Sequence, residues 1–115
     1  MYKSFLFLLA LTSSGTVLAN CTASGSCTNV KVTELRTDTN GSTYVGTSGA
    51  ELNLRCTPGN AGSGKEQLVL DAAGTNYQAV YSLILSSYVT DSSVTIRTSN
   101  NAGESCKVLY AVMEK

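Results

Sequence analysis

The chain has 115 residues with one proline, no tryptophan and no histidine, and its eight Lys+Arg balance its eight Asp+Glu. That length holds one small domain. The charge balance, without any basic cluster, excludes the electrostatic footprints of a nucleic-acid binder or of an anionic-lipid surface, and the missing histidine excludes a Ser/His/Asp or Cys/His triad.

The first segment reads as a secretory signal peptide. Lys3 supplies the charge, Phe5 to Leu11 is apolar without a break, and Val17-Leu18-Ala19 offers a peptidase site. The apolar run is far shorter than the ~20 residues of a membrane-spanning helix. The expected division is residues 1–19 as signal and residues 20–115 as one mature domain, secreted or periplasmic, with seven Lys+Arg against eight Asp+Glu. Leu18-Ala19-Asn20-Cys21 also resembles a lipoprotein processing site, but Asn20 stands where Gly, Ala or Ser is usual.

An oxidising compartment turns Cys21, Cys27, Cys56 and Cys106 into two expected disulfides. Four cysteines allow three pairings. Spacing favours Cys21–Cys27, around a short flexible segment, and Cys56–Cys106, each at the edge of an expected strand. Zinc is the rival use of four cysteines; no histidine and no Cys-x2-Cys pair supports it. No cofactor is expected.

In chain order, residues 20–29 read as a tethered polar loop. Val30 to Leu35 alternates as a half-buried strand. Asn40-Gly41 is a hairpin signal because both residues tolerate positive φ, and Thr43 to Thr47 is the second strand. Glu51 to Cys56 reads as a third, with Leu52, Leu54 and Cys56 on one face. Residues 57–65 form a loop holding three glycines and Pro58. Its Gly59…Gly64-Lys65 spacing is superficially that of a phosphate loop, but Glu66 replaces the required Ser/Thr.

Leu68-Val69-Leu70 is a brief strand or a brace for the core. Thr75 to Gln78 matches a capping box, and Tyr77, Tyr81, Ile84, Leu85 and Tyr88 follow at helical spacing, with Ser82, Ser86 and Ser87 on the polar side. Val94 to Thr98 alternates again. Cys106 to Met113 is apolar on both faces, which predicts a strand that is central or covered on two sides.

Three strands, a helix and two strands make a mainly β (α+β) fold. The expected architecture is a five-stranded OB-like Greek-key barrel with the helix between strands three and four. The order of signal peptide, early cysteine, first hairpin, central cysteine, Tyr77-Gln78-Ala79-Val80-Tyr81-Ser82-Leu83-Ile84-Leu85 helix and final strand near Cys106 resembles the receptor-binding B subunits of AB5-type bacterial toxins. The chain is also similar, in that helix and in Val94-Thr95-Ile96-Arg97, to small secreted bacterial proteins of unknown activity. The resemblance is one of layout over most of residues 27–115. It implies a homo-oligomeric ring and glycan binding, without supplying a sugar-contacting motif.

No spacing singles out a pair among the carboxylates Glu34, Asp38, Glu51, Glu66, Asp71, Asp91, Glu104 and Glu114, so no catalytic residue is expected. The candidate ligand contacts are Tyr44, Thr47, Arg97 and Asn100: one aromatic on a strand, with hydroxyl, guanidinium and amide groups suited to sugar hydroxyls. The expected partner is a cell-surface glycan. The alternative is a partner protein of the envelope or secretion apparatus, added as a strand at an open sheet edge.

Overall fold

The computed structural model describes residues 19–59 and 67–113. Residues 1–18 of the expected signal peptide, residues 60–66, which hold most of the glycine-rich loop and Glu66, and residues 114–115 lie outside the described residues. The strands are β1 (Asn20–Thr22), β2 (Ser26–Thr37), β3 (Thr43–Thr47), β4 (Leu68–Leu70), β5 (Ser93–Thr98) and β6 (Val108–Met113), with one helix, α1 (Tyr77–Thr90), between β4 and β5. They form one antiparallel sheet in the order β4-β3-β2-β5-β6, with β1 added against β2.

The long strand β2 organises the sheet. Its N-terminal half pairs with β5 (Ser26 opposite Arg97, Val30 opposite Val94), and its C-terminal half with β3 (Leu35 opposite Val45, Thr37 opposite Thr43). Register shifts between Cys27 and Val30 and between Val32 and Glu34 let one strand serve both neighbours, because a bulge bends the strand and increases its local twist. Val30, Val32, Val45, Leu68, Leu70, Val94 and Ile96 point into one core. Helix α1 closes it with Val80 and Ile84.

The residues read as a polar N-terminal loop instead form β1 and a tight hairpin with β2, in which Cys21 and Cys27 face each other across the ladder. Their disulfide is one of two; the other joins Cys56 and Cys106. The expected third strand over Glu51–Cys56 is absent. Glu51–Asn53 is a 3₁₀ turn, closed by Asn53 N–H to Ala50 O (3.0 Å) and Leu54 N–H to Glu51 O (3.0 Å). The Glu51 carboxylate accepts from the Thr47 amide (2.8 Å) and the Thr47 hydroxyl (2.6 Å). A local side-chain bond of this kind offers the backbone an alternative to the ladder. Leu54 and Cys56 are buried while Leu52 faces solvent. The partner of β3 is the brief segment Leu68–Leu70.

The helix begins one residue later than the capping box, with Thr75 as its cap, predicts. Its N-cap is Asn76, with no side-chain bond to the helix, because the Asn76 amide donates to Leu109 O instead (3.1 Å). The buried line is Val80, Ile84 and Ser87, with Tyr77, Tyr81 and Leu83 packed at its margins. Leu85 and Tyr88 are exposed. Ser87, expected on the polar side, is fully buried, and its hydroxyl donates to Ile84 O (2.9 Å); a small side chain that satisfies its own hydrogen bond tolerates burial. The helix ends on Asp91 in the left-handed region (φ 56°), with Ser92 N–H on Ser87 O in a Schellman-type closure.

β6 corrects the last expectation: among the described residues it ends the sheet order, paired along its length with β5 alone and met by α1 on one face only in part. Only Val108 is buried, and Leu109, Tyr110, Val112 and Met113 are exposed. The sheet is not closed. Its two edges approach at one parallel bridge between Val69 and Lys107, where Val69 N–H donates to Cys106 O (2.9 Å). A second bridge joins Thr57 to Ser105 beside the Cys56–Cys106 disulfide. Among the described residues no helix is long and apolar enough to cross a membrane. Two disulfides fit an extracellular or periplasmic setting.

A cleft at the sheet seam

The four sequence-nominated contacts do not converge. Tyr44 faces Arg36 on β2 and Arg97 faces Ser26, ten residues apart on the same strand, or roughly 30 Å at the usual strand rise. Tyr44 is half-buried, with the Arg36 guanidinium 6.0 Å from its ring centre, and that guanidinium is paired with Asp38 (2.9 Å). Gly59 passes so close that an added Cβ would lie 3.4 Å from the ring. The Thr47 hydroxyl is committed to Glu51 and to the Gly49 amide. Arg97 donates to Ser26 Oγ (3.2 Å).

Asn100 is a structural clamp: its oxygen accepts from the Arg55 amide (3.0 Å) and its nitrogen donates to Ala23 O (2.7 Å). These two bonds tie the β1–β2 turn to the chain after the 3₁₀ turn.

A cleft that the sequence did not nominate lies at the seam between β4 and β6. It has two lobes, of ≈ 260 Å³ and ≈ 120 Å³, which share Leu70, Asp71 and Lys107. The larger lobe reaches the β2–β3 turn at Asn40, Gly41 and Ser42. The smaller runs under the start of α1, at Asn76, Tyr77 and Val80. Buried Leu70, Val80 and Val108 give it an apolar floor.

Local backbone chemistry fixes the walls. The Asp71 carboxylate accepts from the Ala73 amide (3.0 Å) and Asp71 O accepts from Gly74 N–H (2.9 Å), an Asx turn leading into the helix. Asn40 does the same for Ser42 (3.0 Å), and Gly41, at φ 89°, completes that turn. Lys107 is held on both sides of its backbone by Ser99, whose hydroxyl accepts from Lys107 N–H and whose amide donates to Lys107 O. The Tyr77 hydroxyl reaches Thr43 Oγ1 (3.2 Å).

Each wall residue commits one group, Asp71 and Asn40 within their own turns, Asn76 to Leu109 and Lys107 through its backbone to Ser99, and keeps another. Among the described residues, the second Asp71 oxygen, the Asn40 amide nitrogen, the Asn76 amide oxygen and the Lys107 ammonium have no partner. Among the described residues, Asp71 and Lys107 are the only charged members of the lining, and they are not ion-paired with each other. The set therefore offers donors and acceptors together, with no net charge.

Elsewhere, Gln67 is fully buried and donates to Glu34, and its own oxygen has no partner among the described residues. Among the described residues no three Cys, Asp or Glu side chains gather around a common point suited to a metal ion. Compared with known proteins, the chain matches no family model, no curated protein and no solved structure.

Proposed function

We propose that the chain is a secreted, non-enzymatic binding module on an OB-like frame, with a cell-surface glycan as its ligand. The pairing supports the frame. A long strand is shared between β3 and β5, the helix falls between β4 and β5, and the outer edges approach in parallel. Those relations support the reading of a five-stranded Greek-key frame, with β1 as an added ribbon and the sheet left open at the seam. The single observation that carries the ligand reading is the seam cleft, whose uncommitted donors and acceptors stand over an apolar floor. Sites for small ligands combine an apolar lining with a few placed polar groups. A glycan array probed with the mature, oxidised chain tests it: reproducible binding to a structurally related set of glycans is expected, and an array without signal would overturn it.

The β6 edge favours a second reading, as a protein-interaction or structural module. Residues 108–113 carry no charge and no proline, and four of the six are exposed large apolar side chains. Edges are usually protected by charge, proline or cover. A partner strand, from another protein or a second copy of the chain, would satisfy that edge. Native mass spectrometry at micromolar concentration separates the two: a monomer that binds glycans supports the first reading, and a stable oligomer or co-purifying protein without glycan binding supports the second.

A further inference from the structure

We propose that the seam cleft binds one uncharged sugar ring through two neighbouring hydroxyls, one donating to Asp71 and the other accepting from Lys107. The inference rests on the glycan reading above and gives it a site. The two side chains stand on the shared boundary of the two lobes, so a ligand placed between them reaches both.

Charge selects the class. A carboxylate only accepts hydrogen bonds and an ammonium only donates them. An anionic ligand drawn to Lys107 meets Asp71, and a cationic ligand drawn to Asp71 meets Lys107. A hydroxyl both donates and accepts, so an adjacent pair satisfies both walls without introducing charge. The remaining free groups repeat the pattern, since the Asn40 amide nitrogen donates and the Asn76 amide oxygen accepts. The floor of Leu70, Val80 and Val108 suits the C–H face of a ring.

Size limits the occupant. Lobes of ≈ 260 Å³ and ≈ 120 Å³ stand at the small end of the ~300–1,000 Å³ range of small-ligand sites, so the fitting unit is one ring, the terminal residue of a longer glycan. The Asp71 and Asn40 side chains are preorganised by bonds within their own turns, while Lys107 has its backbone fixed and its ammonium free to adjust to the ligand. Rigid walls lower the ordering cost of binding.

The test uses the mature, disulfide-bonded chain, labelled with nitrogen-15 and titrated with methyl glycosides of galactose, glucose and mannose, with a sialic-acid glycoside and glucosamine as charged comparisons. At least one neutral glycoside should shift the amides of Ala73, Gly74 and Lys107. Asp71→Asn and Lys107→Gln should each weaken that binding about tenfold or more, the scale of losing a charged hydrogen-bond partner, with melting temperatures unchanged. Shifts confined to other parts of the chain, tighter binding of a charged sugar, or variants that bind like the parent would overturn the assignment. Parent and variants binding equally on the glycan array would remove the cleft and leave the glycan reading standing; no binding by the parent in either format removes both.

Discussion

Removing the Cys56–Cys106 disulfide is the perturbation whose effect follows most directly from this architecture. The bond closes a 50-residue separation, against 6 for Cys21–Cys27. Loop-closure entropy assigns about 4 kcal/mol to the longer loop and about 2 kcal/mol to the shorter. A small domain has roughly 5–15 kcal/mol of stability in total, so the longer cross-link is a large share of it. At about 4–8 °C per kcal/mol for a domain of this size, Cys56→Ala/Cys106→Ala should lower Tm by roughly 15–30 °C, and Cys21→Ala/Cys27→Ala by about half as much.

The position of the bond adds a local signature. Cys106 O accepts from Val69 N–H, and Thr57 exchanges bonds with Cys106 N–H and Glu104 O across the same seam. Without the staple, the Val69 and Thr57 amides should exchange faster than those of the β2–β5 ladder. Calorimetry on the two double variants and hydrogen exchange on the first are the assays. An equal or larger loss from the Cys21–Cys27 pair, or undiminished protection at Val69, would refute the reasoning.

The other predictions concern packing, caps and processing. Ile84→Ala empties a fully buried position and should cost about 2–5 kcal/mol in a urea titration, whereas Leu85→Ala, at a half-open position, should change the midpoint little. Gly49→Ala would put a Cβ 3.0 Å from both Cys21 Sγ and Val30 Cγ1, an overpacking expected to cost about 1–3 kcal/mol. Asp91→Gly relieves the left-handed φ at the helix end and should raise stability by up to about 1 kcal/mol, a fraction of the αL cost because Asp tolerates that region, net of the exposed Lys31 pair it removes. Intact-mass analysis of exported protein should give a chain beginning at Asn20 with all four cysteines oxidised; a lipid mass on Cys21 would favour lipoprotein processing instead.

The parts of the fold set by strict local pattern were legible in the sequence. Alternation located the middle of β2 and nearly all of β5, and the Asn40-Gly41 signal placed β3 after a turn that is longer than a two-residue hairpin. Cysteine spacing favoured the two pairs that are present. Three of the misreadings share one cause: side chains that form non-local or backbone bonds defeat periodicity. Glu51 folds back on Thr47, so an alternating run becomes a 3₁₀ turn. Asn76 binds β6 rather than capping, and Ser87 hides its hydroxyl in its own helix.

The cleft was illegible for a related reason. Asp71 and Lys107 are 36 positions apart and meet only because Val69 and Lys107 bridge the two sheet edges. Nothing near either residue signals that closure. Tyr44 and Arg97, which looked like neighbours in a list of strand residues, face opposite ends of β2.

The salt dependence of glycan binding tests the central claim most directly. A neutral sugar held by hydrogen bonds and an apolar floor has few ion pairs to screen, even when the Debye length falls from about 10 Å at 0.1 M salt toward 3 Å at 1 M. The mature chain should bind its best array glycan with a Kd that changes less than about threefold between 0.05 and 0.5 M sodium chloride. Binding that collapses over that range would contradict the account and point to a charged ligand held elsewhere on the molecule.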